Sequence, residues 1–146
     1  MPTIKIKKLH PDAVIPEYAK EGDSGFDLVA VEDATLYPGE TQLVKTGIAV
    51  ELPPGTELQV RPRSGLSLKT PLHIRNAPGT VDNGYRGEVG VICHCLINSN
   101  SCPIVIEKGD RIAQGVVMPV IRCEIEEVES LSDTTRGADG YGSTGV

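Results

Sequence analysis

Apolar positions along this chain fall in short runs, at 3–9, 43–52, 57–60, 72–74, 89–97, 103–106, 112–120 and 125–128, none of which sustains a helical repeat. Thr3-Ile4-Lys5-Ile6-Lys7 alternates strictly, as a strand with one wet face does, whereas the run 115–121 is apolar enough to be buried on both sides. Gly and Pro, 16 and 11 of them in 146 residues, interrupt these runs throughout. That pattern predicts an all-β sandwich or barrel of many short strands with at most one short helix, at 64–69. Asp82-Asn83-Gly84 between apolar runs predicts a tight hairpin turn, with Val81 on one arm and Val89 and Val91 on the other. The length suits one domain, taken as 1–135, and no internal repeat divides it. Residues 136–146 carry Gly137, Gly140, Gly142 and Gly145 and read as a flexible tail.

Charge narrows the function classes. A formal net charge of −6 without a long basic stripe argues against a nucleic-acid polymer as partner. Glu124, Glu126, Glu127, Glu129 and Asp133 form an acidic approach to the tail, read as a solvated face. No apolar run reaches the length of a membrane span, and residues 1–18 lack the apolar core of a signal peptide, so an intracellular, cytoplasmic protein is expected. Cys93-His94-Cys95 alternates on one strand, which puts both thiols on one side. Cys93, Cys95, Cys102 and Cys123 are expected to be structural thiols, with disulfides or a metal as the competing readings.

Four polar stretches carry chemistry. Arg61-Pro-Arg63-Ser64-Gly65-Leu-Ser-Leu-Lys69 concentrates guanidinium, hydroxyl and ammonium groups around a turn, where Arg63 can grip phosphate oxygens as a fork, Ser64 can donate and Gly65 admits close approach. It is an anion cradle or an ordinary surface turn before a helix. In Gly79-Thr-Val81-Asp82-Asn-Gly-Tyr85, Asp82 is either a turn former or a general base for an attacking water. Gln114, within a largely apolar run, is a satisfied structural amide or a neutral donor to phosphate or water. In the tail, Arg136, Ser143 and Thr144 suit phosphate and Tyr141 can cover a ring, against the plain reading of a disordered end. No P-loop, dinucleotide fingerprint, HExxH or Cys-x-x-Cys spacing is present.

Taken together, five stretches resemble the trimeric dUTP pyrophosphatase (dUTPase) family in its motif order: Ser24-Gly-Phe-Asp27-Leu-Val-Ala30, Pro62-Arg-Ser-Gly65, residues 79–87, Asp110-Arg111-Ile-Ala-Gln114, and residues 136–145. The resemblance implies a jelly-roll-like fold and hydrolysis of dUTP to dUMP and pyrophosphate, with water attacking the alpha phosphorus. Asp82 would activate that water, assisted by Gln114. Tyr85 would lie under the deoxyribose and exclude a 2'-hydroxyl. Gly79, Val81 and neighbouring backbone, with Asn76, would read uracil in a pocket too tight for a 5-methyl group. Arg63, Ser64, Gly65 and Gln114 would hold the phosphates, and Arg136, Tyr141, Gly142, Ser143 and Thr144 would close over the nucleotide as a lid. Tyr141 stands where the family usually has phenylalanine. Asp27 is associated with the metal-water side of the site, or alternatively partners an arginine, while Arg111 looks structural. No protein residue is expected to ligate metal directly: Mg2+ would come with the substrate, held mainly by phosphate oxygens and water. A homotrimer with shared active sites is implied, the runs 89–97 and 112–120 supplying part of its centre. The rival readings are a dCTP deaminase of the same superfamily and a non-catalytic nucleotide-binding β protein.

Overall fold

The computed structural model describes residues 1–97 and 102–145. Among them are eleven short strands and one helix: β1 (Lys5–Lys8), β2 (Phe26–Val29), β3 (Ala34–Leu36), β4 (Thr41–Lys45), β5 (Ile48–Glu51), β6 (Thr56–Arg61), α1 (Ser64–Lys69), β7 (Leu72–Ile74), β8 (Gly79–Val81), β9 (Gly90–Cys95), β10 (Ile104–Ile106) and β11 (Arg111–Pro119). All the ladders are antiparallel. They form a four-stranded sheet, β2-β11-β6-β8, a three-stranded sheet, β4-β9-β7, and the pairs β1-β5 and β10-β3. This is the expected all-β sandwich, and among the described residues no ladder closes it into a barrel.

Period-two burial explains the layers. In β9, Val91, Cys93 and Cys95 are fully buried while Ile92 and His94 are only partly covered; in β6, Leu58 and Val60 point inward while Glu57, Gln59 and Arg61 point out. The inward rows meet in one core with Leu28, Leu36, Ile48, Ile74 and Ile112. Each such buried aliphatic side chain contributes about 1.5–3 kcal/mol of transfer free energy. Burial in that core pushes the Cys93 thiol up to about 12.

Several expectations change at this level. The run 43–52 is two strands, because β4 and β5 part at Thr46-Gly47. The run 115–121 is buried only at its start: Val116 is covered, Val120 is half-exposed and Ile121 is 90 % exposed. The run 125–128 is not a strand. Ile125 is 97 % exposed, and residues 121–128 pair with nothing among the described residues, since a strand needs a neighbour and this segment has left the sheets. The inward rows of 89–97 and 112–120 are spent on the chain's own core, which leaves only their outward residues for contact with another copy. Cys102 and Cys123 are exposed, so only Cys93 and Cys95 fit the buried structural reading; all four thiols are free.

The predicted hairpin at Asn83-Gly84 is also absent. β8 pairs with β6 and β9 with β4 and β7, so the two arms belong to different sheets. Neither Asn83 nor Gly84 has the positive φ that a two-residue hairpin turn of that sequence requires. Residues 82–89 are instead a loop crossing from one sheet to the other.

Candidate active site

The first half of the site is a row across the four-stranded sheet. Gln114 on β11 lies opposite Asp27 on β2 and Arg61 on β6, so three separate sequence motifs share one outward-facing row. A register shift between Arg111 and Ala113 makes this possible. It lets Ile112 and Ala113 both point into the core and brings Gln114 out to the wet face beside Asp27.

This row carries the cradle. Asp27 accepts the Arg63 Nε–H at 2.7 Å and Arg111 Nη1 at 3.4 Å, while Arg63 Nη1 donates to the Arg111 carbonyl at 3.3 Å. Arg63 is therefore tethered along one edge, and its Nη2 has no partner among the described residues. The reading of Asp27 as an arginine's partner fits this geometry, and Arg111 is the second member of the pair. Gln114 Nε2 donates to the Pro62 carbonyl at 2.8 Å, pinning the turn that presents Arg63 and Ser64. Gly25 makes room for it, since a Cβ there would stand 2.6 Å from Gln114 Oε1. Ser64 and Gly65 open α1, exposed, with nothing within 4 Å of a Cβ placed on Gly65. The resulting cleft of about 540 Å³ is lined by Ser24, Asp27, Arg63, Ser64, Gly65, Lys69 and Gln114. Glu17 and Asp23 also line it. Neither carboxylate was legible as a site residue, because both lie in an irregular segment without a motif.

The second half is the pocket between the splayed arms of the 79–90 loop. About 250 Å³ in volume, it is lined by Asn76, Gly79, Val81, Asp82, Tyr85 and Gly90, and also by Leu43, Val60, Glu88 and Ile92. Tyr85 folds back on its own loop, donating its hydroxyl to the Glu88 carbonyl at 3.0 Å. Gly87 leaves room for this pose, because a Cβ there would come within 2.5 Å of the Tyr85 ring and push its tip aside. The far arm is fastened to the Thr46–Ile48 turn: Glu88 Oε1 accepts the Gly47 N–H at 2.9 Å, Val89 N donates to Ile48 O at 2.8 Å, and the buried Thr46 hydroxyl donates to Val89 O. Sequence reading missed Glu88 and Thr46, whose contacts span more than forty residues and leave no local signal. The Asp82 carboxylate is exposed and makes no hydrogen bond among the described residues.

These halves are separate within one chain. No residue lines both clefts, and no residue from 136 to 145 lines either. The tail makes only local turns, among them Arg136 Nε to Asp139 O at 3.0 Å and Ser143 N to Gly140 O at 3.1 Å. Tyr141 has φ 52° and is fully exposed, and Gly142, Ser143 and Thr144 are exposed beside it. Val146 lies outside the described residues. Among those described, no three His, Cys, Asp or Glu side chains converge as a metal cage, and no helix is long and apolar enough to cross a membrane.

Comparison with known proteins agrees with the motif order. The profile described as dUTPase matches residues 12–145. Two deoxyuridine 5'-triphosphate nucleotidohydrolases, from Gloeothece citriformis and Helicobacter pylori, are 57% and 53% identical over 143 residues, spanning 98% of this chain and 97% of each relative. The solved structure of the Staphylococcus bacteriophage 80alpha dUTPase with dUPNHPP superimposes with a TM-score of 0.88 at 33% identity, covering 99% of both chains. None of these relatives carries a deaminase name, and that reading has no support. With the fold, the motif order and near-complete relatives in agreement, the chain belongs to the dUTPase family.

Proposed function

We propose that this protein hydrolyses dUTP to dUMP and pyrophosphate, by attack of water on the alpha phosphorus. The observation that carries the reading is the pairing of a pre-tethered phosphate cradle with a small loop pocket that presents the Asp82 carboxylate without a hydrogen-bond partner among the described residues. Asp82 takes the proton of the attacking water, a role suited to an exposed carboxylate without competing hydrogen bonds. Arg63, Ser64 and the open backbone at Gly65 bind phosphate oxygens, and Gln114 keeps their turn in place through Pro62. Uracil enters between the unpaired arms of the 79–90 loop, where Gly79, Val81 and Asn76 offer polar backbone and amide groups and Leu43 and Ile92 offer an apolar wall. Tyr85, pinned to Glu88, packs against the sugar and leaves no space for a 2'-hydroxyl.

The separation of the two clefts in one chain supports a site assembled from more than one copy, and the resemblance of the motifs makes a homotrimer the state proposed. The exposed segment from Val120 onward carries the tail away from its own clefts to a neighbour's. There Arg136, Gly142, Ser143 and Thr144 cover the phosphates and Tyr141 covers the base, so that residues 136–146 form a lid on a 1–135 domain.

Membership of the family implies Mg2+-dependent catalysis. The donor chemistry fits an ion that would arrive with the triphosphate, since the Asp27 carboxylate is already tied to Arg63 and Arg111. When bound, Mg2+ would supply charge neutralisation on the phosphates, so that an anionic base is not repelled. What the chain itself supplies is the grip on the phosphates and the proton acceptor.

Purified protein given dUTP, UTP, dTTP and dCTP, with and without Mg2+, tests the reaction. Mg2+-dependent dUMP and pyrophosphate from dUTP alone is expected; binding without turnover would leave a nucleotide-binding protein. Asp82→Asn should retain nucleotide binding while lowering turnover at least about 100-fold, and near-normal turnover would remove Asp82 from its role.

A further inference from the structure

Asn83, the residue after the base, sits in a turn closed by the Tyr85 N–H on the Asp82 carbonyl, but its side chain does not bond within that turn. In an Asn-Gly turn the asparagine side chain usually bonds its own neighbourhood. Here its Nδ2 reaches across the fold to the turn joining β5 and β6, donating its two N–H groups to the carbonyls of Pro53 at 2.8 Å and Thr56 at 3.1 Å, with the Leu52 carbonyl a weaker shared acceptor at 3.4 Å. These contacts span 27 to 31 residues, and the side chain is part-buried in a nest of acceptors only. Arg86 closes the other side by donating to the Asn83 carbonyl at 2.7 Å. Asp82, one residue earlier, has no side-chain bond of its own among the described residues to set its direction; its backbone carbonyl accepts the Tyr85 N–H at 3.0 Å. β8 is an edge strand that ends at Val81, so beyond that point the ladder no longer holds the chain.

We propose that Asn83 is the positioning residue for the general base: by seating its amide in the carbonyl nest of residues 52–56, it fixes the backbone from which the Asp82 carboxylate projects. The inference rests on the assignment of Asp82 as base. A carboxylate cannot replace the amide, because aspartate offers oxygens to oxygens and has no N–H to give. Asn83→Asp is therefore a sharper disruption than Asn83→Ala, despite being nearly isosteric. The nest favours the neutral acid of such a variant and raises its pKa, so its defect should ease as pH falls.

The test is steady-state dUTP hydrolysis by the full chain as wild type, Asn83→Ala, Asn83→Asp, Asp82→Asn and the Asp82→Asn/Asn83→Ala double variant, with binding of a non-hydrolysable dUTP analogue measured in parallel. Asn83→Ala should lower kcat roughly 10- to 100-fold with KM and analogue affinity held within about twofold, as expected when a catalytic group is misplaced while the grip on the nucleotide stays intact. In the Asp82→Asn background the same change should cost nothing further, within about twofold, since the group it positions is gone. Asn83→Asp should be slower than Asn83→Ala at pH 8, and its kcat relative to wild type should rise as pH falls. Normal kcat in Asn83→Ala, additive losses in the double variant, or a loss of analogue affinity matching the loss of kcat would each overturn the proposal. Near-normal turnover of Asp82→Asn would overturn the assignment of the base itself, and the positioning role with it.

Discussion

The phosphate cradle and the glycine-rich tail carry similar chemistry, guanidinium, hydroxyl and backbone N–H, yet are held in opposite ways. Arg63 is tied to Asp27 and the Arg111 carbonyl, and its turn is pinned by Gln114, before any ligand is present. Arg136, Ser143 and Thr144 sit on local turns, exposed, and line neither cleft. The cradle has met its ordering cost during folding, whereas the tail must meet it on binding. In the function proposed above, the pre-ordered part would set where the phosphates lie, and the late-ordering part would let substrate in and then exclude water.

Truncation after Thr135 should produce the largest separation between the two regions. Turnover at limiting dUTP should fall by about 100-fold, as expected for loss of a closing segment, while the melting temperature moves little because residues 136–145 bury almost nothing. Calorimetry beside a pyrophosphate assay reads both, and full activity without the tail would dissolve the comparison. Asp27→Ala comes next. It frees Arg63 and Arg111 together, and a loss of roughly 30-fold in kcat/KM is expected from the misplaced guanidinium. Unlike the truncation, it should also lower stability, since it removes a part-buried ion pair.

Gln114→Ala should be milder, about 10-fold, because the Pro62 carbonyl loses one bond but β11 and β6 keep their register. A loss confined to kcat with no change in phosphate affinity would instead indicate a direct role for Gln114 on the water. The smallest effect is a pattern of thiol labelling. Cys102 and Cys123 should alkylate in the native protein and Cys93 and Cys95 only after unfolding. Burial pushes Cys93 up to about 12, so above the ordinary thiol value the unfolded chain releases its proton while the folded chain keeps it: the penalty on the folded state is absent at neutral pH and grows as pH rises from the unfolded value toward about 12. Denaturation curves across alkaline pH, showing stability falling over that window, check the sign.

Much of this was legible in the chain. Short apolar runs broken by Gly and Pro predict an all-β sandwich or barrel, the alternation around Cys93 and Cys95 predicts that both thiols face the same side, and 64–69 reads as a short helix, as found among the described residues. Local patterns carry that information because strand periodicity and turn chemistry act over a few residues. Asn83-Gly84 makes the turn it signals but not the hairpin: the turn is local, whereas pairing of its arms is overridden by the partners that β8 and β9 take in different sheets.

What the sequence determined by itself was the fold class, the order of the five motifs and the residue types able to hold a nucleotide. Only the tertiary structure decided that Asp27, Gln114 and Arg61 share a row, that Gln114 spends its amide on Pro62, and that the far arm of the 79–90 loop hangs on Thr46 and Gly47. It also decided that the clefts stay apart in one chain. The physical reason is common to all of these. Each depends on register across strands distant in sequence, down to a one-residue shift at Ile112 that changes which side chain faces the site, and no local propensity encodes a long-range register.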